Sequence, residues 1–110
     1  MILFLLACAT PAAEDTSEAW CADKPAVEWD NFGHGFMTTY CTSCHSVNNT
    51  ESRYGAPEGV DFDSEADVAT QADRVRARTL DAGDMPLGGG VYEDDLYFLD
   101  IYLTCTLGLP

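Results

Sequence analysis

The stretch Asn31-Phe32-Gly33-His34-Gly35-Phe36-Met37-Thr38-Thr39-Tyr40-Cys41-Thr42-Ser43-Cys44-His45 decides how the rest of the chain is read. Phe32, Phe36 and Tyr40 recur at four-residue spacing, the repeat of one helix face, behind a cap at Asp30 or Asn31. That helix is expected to end at Cys41. Gly33 and Gly35 inside it each cost about 1 kcal/mol of helix propensity against alanine, so close approach by another backbone is the expected reason for them. The helix delivers two thiols, Cys41 and Cys44, with the imidazole of His45 directly after the second.

Three chemistries use a C-x-x-C pair. A redox dithiol calls for βαβ surroundings, which the sequence lacks. Zinc wants four ligands, and the other Cys and His residues form no second close pair. The full C-x-x-C-H arrangement fits covalent attachment of haem c. Two thiols about one helical turn apart can each form a thioether with one of the two haem vinyl groups, and His45 then supplies the proximal iron ligand.

A low-spin haem iron also needs a distal ligand. Of Met1, Met37 and Met85, the first belongs to the N-terminal apolar run and the second lies on the helix feeding the motif. Met85, in Gly83-Asp84-Met85-Pro86-Leu87-Gly88, follows a helix stop forty residues past His45 and can return from the opposite side. Pro86 keeps Met85 extended rather than helical. Core filler is the other reading of Met85, and His34, on the wrong stretch of helix, is a fallback ligand.

Two further helices are expected. One starts at Ser64, with Asp67 as a variant capping box, carries Val68, Ala72, Val75 and Thr79 on one face, and stops at Gly83. The other begins among Glu93, Asp94 and Asp95, whose charges suit a helix N-terminus, and continues through Leu96, Leu99, Tyr102 and Leu103. Residues 48–63 read as loop. No segment alternates as a strand does, so the class is all-α, and 110 residues make one domain.

Taken together, residues Asn31 to Leu103 resemble the class I cytochromes c. Gly33 stands eight residues before the first haem cysteine, Tyr102 sits in the last helix, Pro57 falls twelve residues after His45, and Met85-Pro86 forms the late loop. The resemblance implies three to four helices wrapped around one covalently attached haem, with Tyr102 packing across Gly33. It implies that the Pro57 carbonyl accepts from the second nitrogen of His45 and raises its basicity, and that Met85 is the distal ligand. The first and last helices cross in that fold, so Cys21 and Cys105 are expected to pair as a disulfide, the alternative being two separate thiols. Phe32, Phe36, Leu80, Leu87, Leu96 and Leu99 are candidates for the apolar shell.

Other features are less specific. Arg74 and Arg78 share a helix face and can meet haem propionates or carboxylates, though a solvated face is the commoner reading for Arg74, Arg76 and Arg78. Trp20 and Trp29 read as packing residues. Five Lys+Arg against 19 Asp+Glu, a formal net charge of −14, argue against nucleic acid, whose phosphates need basic clusters. That charge serves solubility or steers the chain toward redox partner proteins with a basic docking surface.

At the N-terminus, Leu5-Leu6-Ala7-Cys8 resembles a bacterial lipobox, which implies that residues 1–7 are a signal-peptide remnant and that Cys8 is lipidated. An apolar N-terminus with an incidental cysteine is the alternative. Residues 8–19 then form a flexible acidic linker, and residues 20–110 the monohaem domain. The expected function is one-electron transfer by a carrier, not an enzyme, exported to the periplasm or cell envelope and tethered to a membrane through lipid. A haem-based gas or redox sensor in which Met85 dissociates, and an electron-transfer subunit of a larger oxidoreductase, are the alternatives.

Overall fold

Ser64 caps a helix: its side-chain oxygen accepts from the backbone N–H of Asp67 at 3.2 Å, satisfying a donor the first turn cannot bond internally. The helix runs Glu65–Thr70 (α3) and breaks at Gln71, whose φ of −110° and ψ of 12° leave the helical region. It resumes as Ala72–Val75 (α4) and continues through wider i→i+5 turns over Arg76–Asp81. Gly83, at φ +67°, takes the left-handed conformation just past the end, as a glycine stop should.

The computed structural model describes residues 16–110. Its other helices are Thr16–Cys21 (α1), His34–Tyr40 (α2) and Glu93–Ile101 (α5). A wide turn over Trp29–Gly33 leads into α2, and another over Tyr102–Thr106 prolongs α5. No strand occurs among the described residues, and the class is all-α. Among the described residues the five α-helical segments exceed the expected three to four. The second expected helix is split at Gln71, and α1 lies where a linker was expected.

The start of the α2 region also differs by two residues. Glu28, not Asp30 or Asn31, is the N-cap, and Asn31 Oδ1 accepts from the Glu28 N–H at 2.7 Å in a reciprocal box. Asn31 then donates to the Ala26 carbonyl at 3.0 Å, which locks the entering chain.

The core lies where α2, α3, α4 and α5 meet. Met37, Val68, Leu99, Ile101, Tyr102 and Leu103 are fully buried there, each large side chain contributing about 1.5–3 kcal/mol by leaving water. Phe36 and Leu99 belong to this core, Phe32 and Leu80 pack against it, and Leu87 is exposed instead. Tyr102 links three elements. Its ring meets Gly33, where a Cβ would stand 2.9 Å from Cζ, and its hydroxyl donates to Glu65 at 2.8 Å. Gly35 has open space around it, so the close approach expected there does not exist.

Cys21 and Cys105, 84 residues apart, are joined as a disulfide with Cα atoms 5.6 Å apart. The Thr106 hydroxyl donates to the Val27 carbonyl beside it. α1 is therefore pinned to the end of the last helix, although six residues alone make a marginal helix. Arg76 ties the α4 extension to α5 through Asp100 at 2.8 Å and through Thr104. Trp20 keeps 37% of its surface exposed and lies under the Lys24 ammonium, 4.7 Å from the ring centre, rather than in the core.

Candidate functional site

The chain coils tightly after α2. The Cys41 and Thr42 N–H groups both donate to the Met37 carbonyl, at 2.8 and 2.9 Å. Cys44 and His45 N–H groups then donate to the Cys41 carbonyl, at 3.2 and 2.9 Å. This turn brings Cys41, Cys44 and His45 to one cleft with two adjoining chambers of about 170 and 200 Å³. Tyr40, Cys41, His45, Pro57, Met85 and Pro86 line both chambers. Cys44, Tyr54 and Leu87 are among the further residues of one, and Val60, Phe62 and Val75 of the other, where Arg74 and Arg78 also stand.

His45 is held from behind. Its Nδ1 lies 2.8 Å from the Val60 carbonyl oxygen. A carbonyl only accepts, so Nδ1 carries a hydrogen, and the neutral ring then has its free lone pair on Nε2, the form in which imidazole binds a metal. Phe62 packs beside the ring at 5.1 Å between centres, and its N–H donates to the His45 carbonyl at 3.0 Å. The expected partner was the Pro57 carbonyl. That oxygen instead accepts from Arg53 at 3.0 Å, and the Val60 oxygen stands behind His45 in its place.

Met85 reaches the same cleft from a loop fastened to the end of the α4 extension. The Asp84 and Met85 N–H groups both donate to the Arg78 carbonyl, at 3.0 and 3.1 Å, and Arg78 Nε pairs with Asp84 at 2.8 Å. Met85 is half-buried, and the bond from it to Pro86 is cis. Met37 is fully buried in the core, and His34 is exposed beside Trp29, with ring centres 5.6 Å apart, so neither stands at the cleft.

Both thiols of the motif are free. Burial, and secondarily the neighbouring Cys44, pushes the Cys41 thiol up to about 12, so it stays protonated at neutral pH and is a poor nucleophile in this state. Among the described residues, no three His, Cys, Asp or Glu side chains gather as a cage for a bare metal ion. Tyr40, at the junction of the chambers, donates to Asp95 at 2.6 Å, and this bond raises the pKa of its phenol.

Sequence reasoning missed Arg53. It lines the cleft and bonds the carbonyls of Ser46, Ala56, Pro57 and Val60 and the carboxylate of Asp61. A lone arginine in a loop without periodicity carries no pattern that would have singled it out.

Searches against descriptions of protein families, against characterised proteins and against solved structures found no match. Cys8 lies outside the described residues, and among those residues no helix is long and apolar enough to cross a membrane.

Proposed function

We propose that this chain is a one-electron carrier of the class I cytochrome c type, with one haem c held in the cleft beside His45. The observation that carries the reading is the meeting of four groups in one cleft: two free thiols, an imidazole with a fixed tautomer, and a thioether from a distant loop. Cys41 and Cys44 would hold the haem through thioethers, and His45 Nε2 and the Met85 sulfur would hold its iron. When bound, the haem supplies a ferrous–ferric couple, raised in potential by methionine ligation and burial.

The chain's own residues prepare the site. The Val60 carbonyl accepts from Nδ1–H, so in the neutral ring Nε2 is the nitrogen left to bind iron. Phe62 and Val75 give one chamber an apolar wall that excludes water. Arg78 fastens the Met85 loop through its carbonyl and its side chain. With His45 and Met85 both holding the iron, electrons would enter and leave without substrate reaching the metal. A formal charge of −14 favours a redox partner with a basic docking surface. Lipidation at Cys8 would tether the carrier to a membrane outside the cytoplasm.

Absorption spectra of ferric and ferrous protein, wild type and Met85→Ala, test the ligand set. The expected result is a sulfur-to-iron band in ferric wild type that the variant lacks. Identical spectra would remove Met85 from the iron.

A further inference from the structure

Arg53 does more than tie down a loop. Its side chain is 13% exposed and pairs at 2.7 Å with Asp61, itself 11% exposed, so the two charges balance in a largely dry place. From there Nη1 donates to the Ser46 carbonyl at 2.6 Å and Nε to that of Ala56 at 3.3 Å, while the two hydrogens of Nη2 are shared among Asp61 and the carbonyls of Pro57 at 3.0 Å and Val60 at 3.3 Å. A rigid planar fork fixes its acceptors relative to one another, which a flexible ammonium cannot do. The Val60 oxygen has two lone pairs; one receives the Arg53 proton and the other the Nδ1 proton of His45. Regular structure is absent between His45 and α3. The Val60 N–H to the Pro57 carbonyl at 3.3 Å, the Phe62 N–H to the His45 carbonyl at 3.0 Å and the packing of Val60 on the core fasten the backbone on either side. Arg53 is the side chain that donates to the Val60 oxygen besides His45.

We propose that Arg53 is the positioning residue for His45: by drawing the 46–61 loop onto one guanidinium, it holds the Val60 carbonyl on Nδ1 and keeps Nε2 as the free lone pair. The inference rests on the reading of His45 as the iron ligand. A histidine that donates its second N–H is a more basic ligand and favours the ferric state. Losing that acceptor lowers its basicity and raises the reduction potential.

The test uses the full chain carrying haem, with Arg53→Gln/Asp61→Asn and Arg53→Lys as variants. The double variant replaces a neutral ion pair by two neutral amides, so the net charge of the pair does not change. Both variants are expected to exchange the His45 Nδ1 proton with solvent at least tenfold faster and to show a higher reduction potential. A role through charge alone would leave Arg53→Lys at wild-type values. Wild-type exchange and potential in Arg53→Lys, or a lowered potential in the double variant, overturn the proposal. If the double variant does not fold, Arg53→Lys decides. Should wild type carry no haem, the electron-transfer reading fails, while the 15N tautomer of His45 in the same chain and in Arg53→Lys still decides the role of Arg53. Nδ1–H in wild type and a mixture in the variant support it, and the same tautomer in both rejects it.

Discussion

Tyr102 packs so closely on Gly33 that a Cβ at position 33 would lie 2.9 Å from its Cζ and 3.1 Å from its hydroxyl. The same Cβ would meet Trp29 Cε3 at 2.8 Å. Gly33 has an ordinary helical φ of −56°, so the requirement is for space and not for backbone freedom. This contact seats the last helix on the helix that delivers Cys41 and His45.

Gly33→Ala is therefore expected to destabilise the fold by about 1–3 kcal/mol through overpacking, despite the better helix propensity of alanine. Gly35→Ala, with nothing within 4 Å, should be neutral or stabilising by up to about 1 kcal/mol. Denaturant midpoints of the two variants check both signs.

Tyr102 also supplies a pH dependence. Burial first, and the bond to Glu65 second, raise its pKa above the usual 10. A group with a raised folded pKa gives its full stabilisation below its unfolded value and loses it as pH climbs through the folded one. Stability should fall as pH rises above 10, and Tyr102→Phe should flatten that fall at a cost of about 1 kcal/mol near neutrality. Thermal melts between pH 8 and pH 12 would show it, and equal slopes for both proteins would reject it.

The Cys21–Cys105 bond links residues 84 positions apart in the sequence. In an entropic treatment such a link stabilises by roughly 4–5 kcal/mol. Replacing both cysteines by serine should lower the unfolding free energy by up to that amount and free α1, whose amides would then lose protection from hydrogen exchange.

Arg78 and Asp84 form an exposed pair, with side chains 42% and 51% accessible. Exposed pairs contribute only about 0.2–1 kcal/mol and weaken with salt. Asp84→Asn should loosen Met85 slightly, read as about two- to fivefold faster binding of an added iron ligand such as imidazole to ferric protein. High salt should erase the difference from wild type.

How much of this was legible in the sequence depended on whether a signal was periodic, local or neither. The cap of α3 and the faces of α2, α3, α4 and α5 were visible because serine capping and four-residue spacing are local patterns, whereas the cap before α2 lies two residues earlier than the sequence suggests. The thiols, imidazole and Met85 were visible because their chemistry needs those residue types at those spacings. α1 was not, since six residues pinned by a distant disulfide carry too little periodicity. The break at Gln71 lacks a glycine or proline to announce it. The exchange of Pro57 for Val60 behind His45 lies in irregular backbone whose carbonyls bond Arg53, a side chain with partners three to eight residues away and no periodic pattern.

The central claim concerns a covalent bond between the pentapeptide Cys41-Thr42-Ser43-Cys44-His45 and one haem. Intact-mass measurement of wild-type protein produced in a host that matures c-type haem, with thiol alkylation alongside, tests it most directly. The account predicts the polypeptide mass plus one haem, with Cys41 and Cys44 refusing the alkylating reagent even when the chain is unfolded. A colourless protein at the bare polypeptide mass, with both thiols alkylated on unfolding, would contradict it.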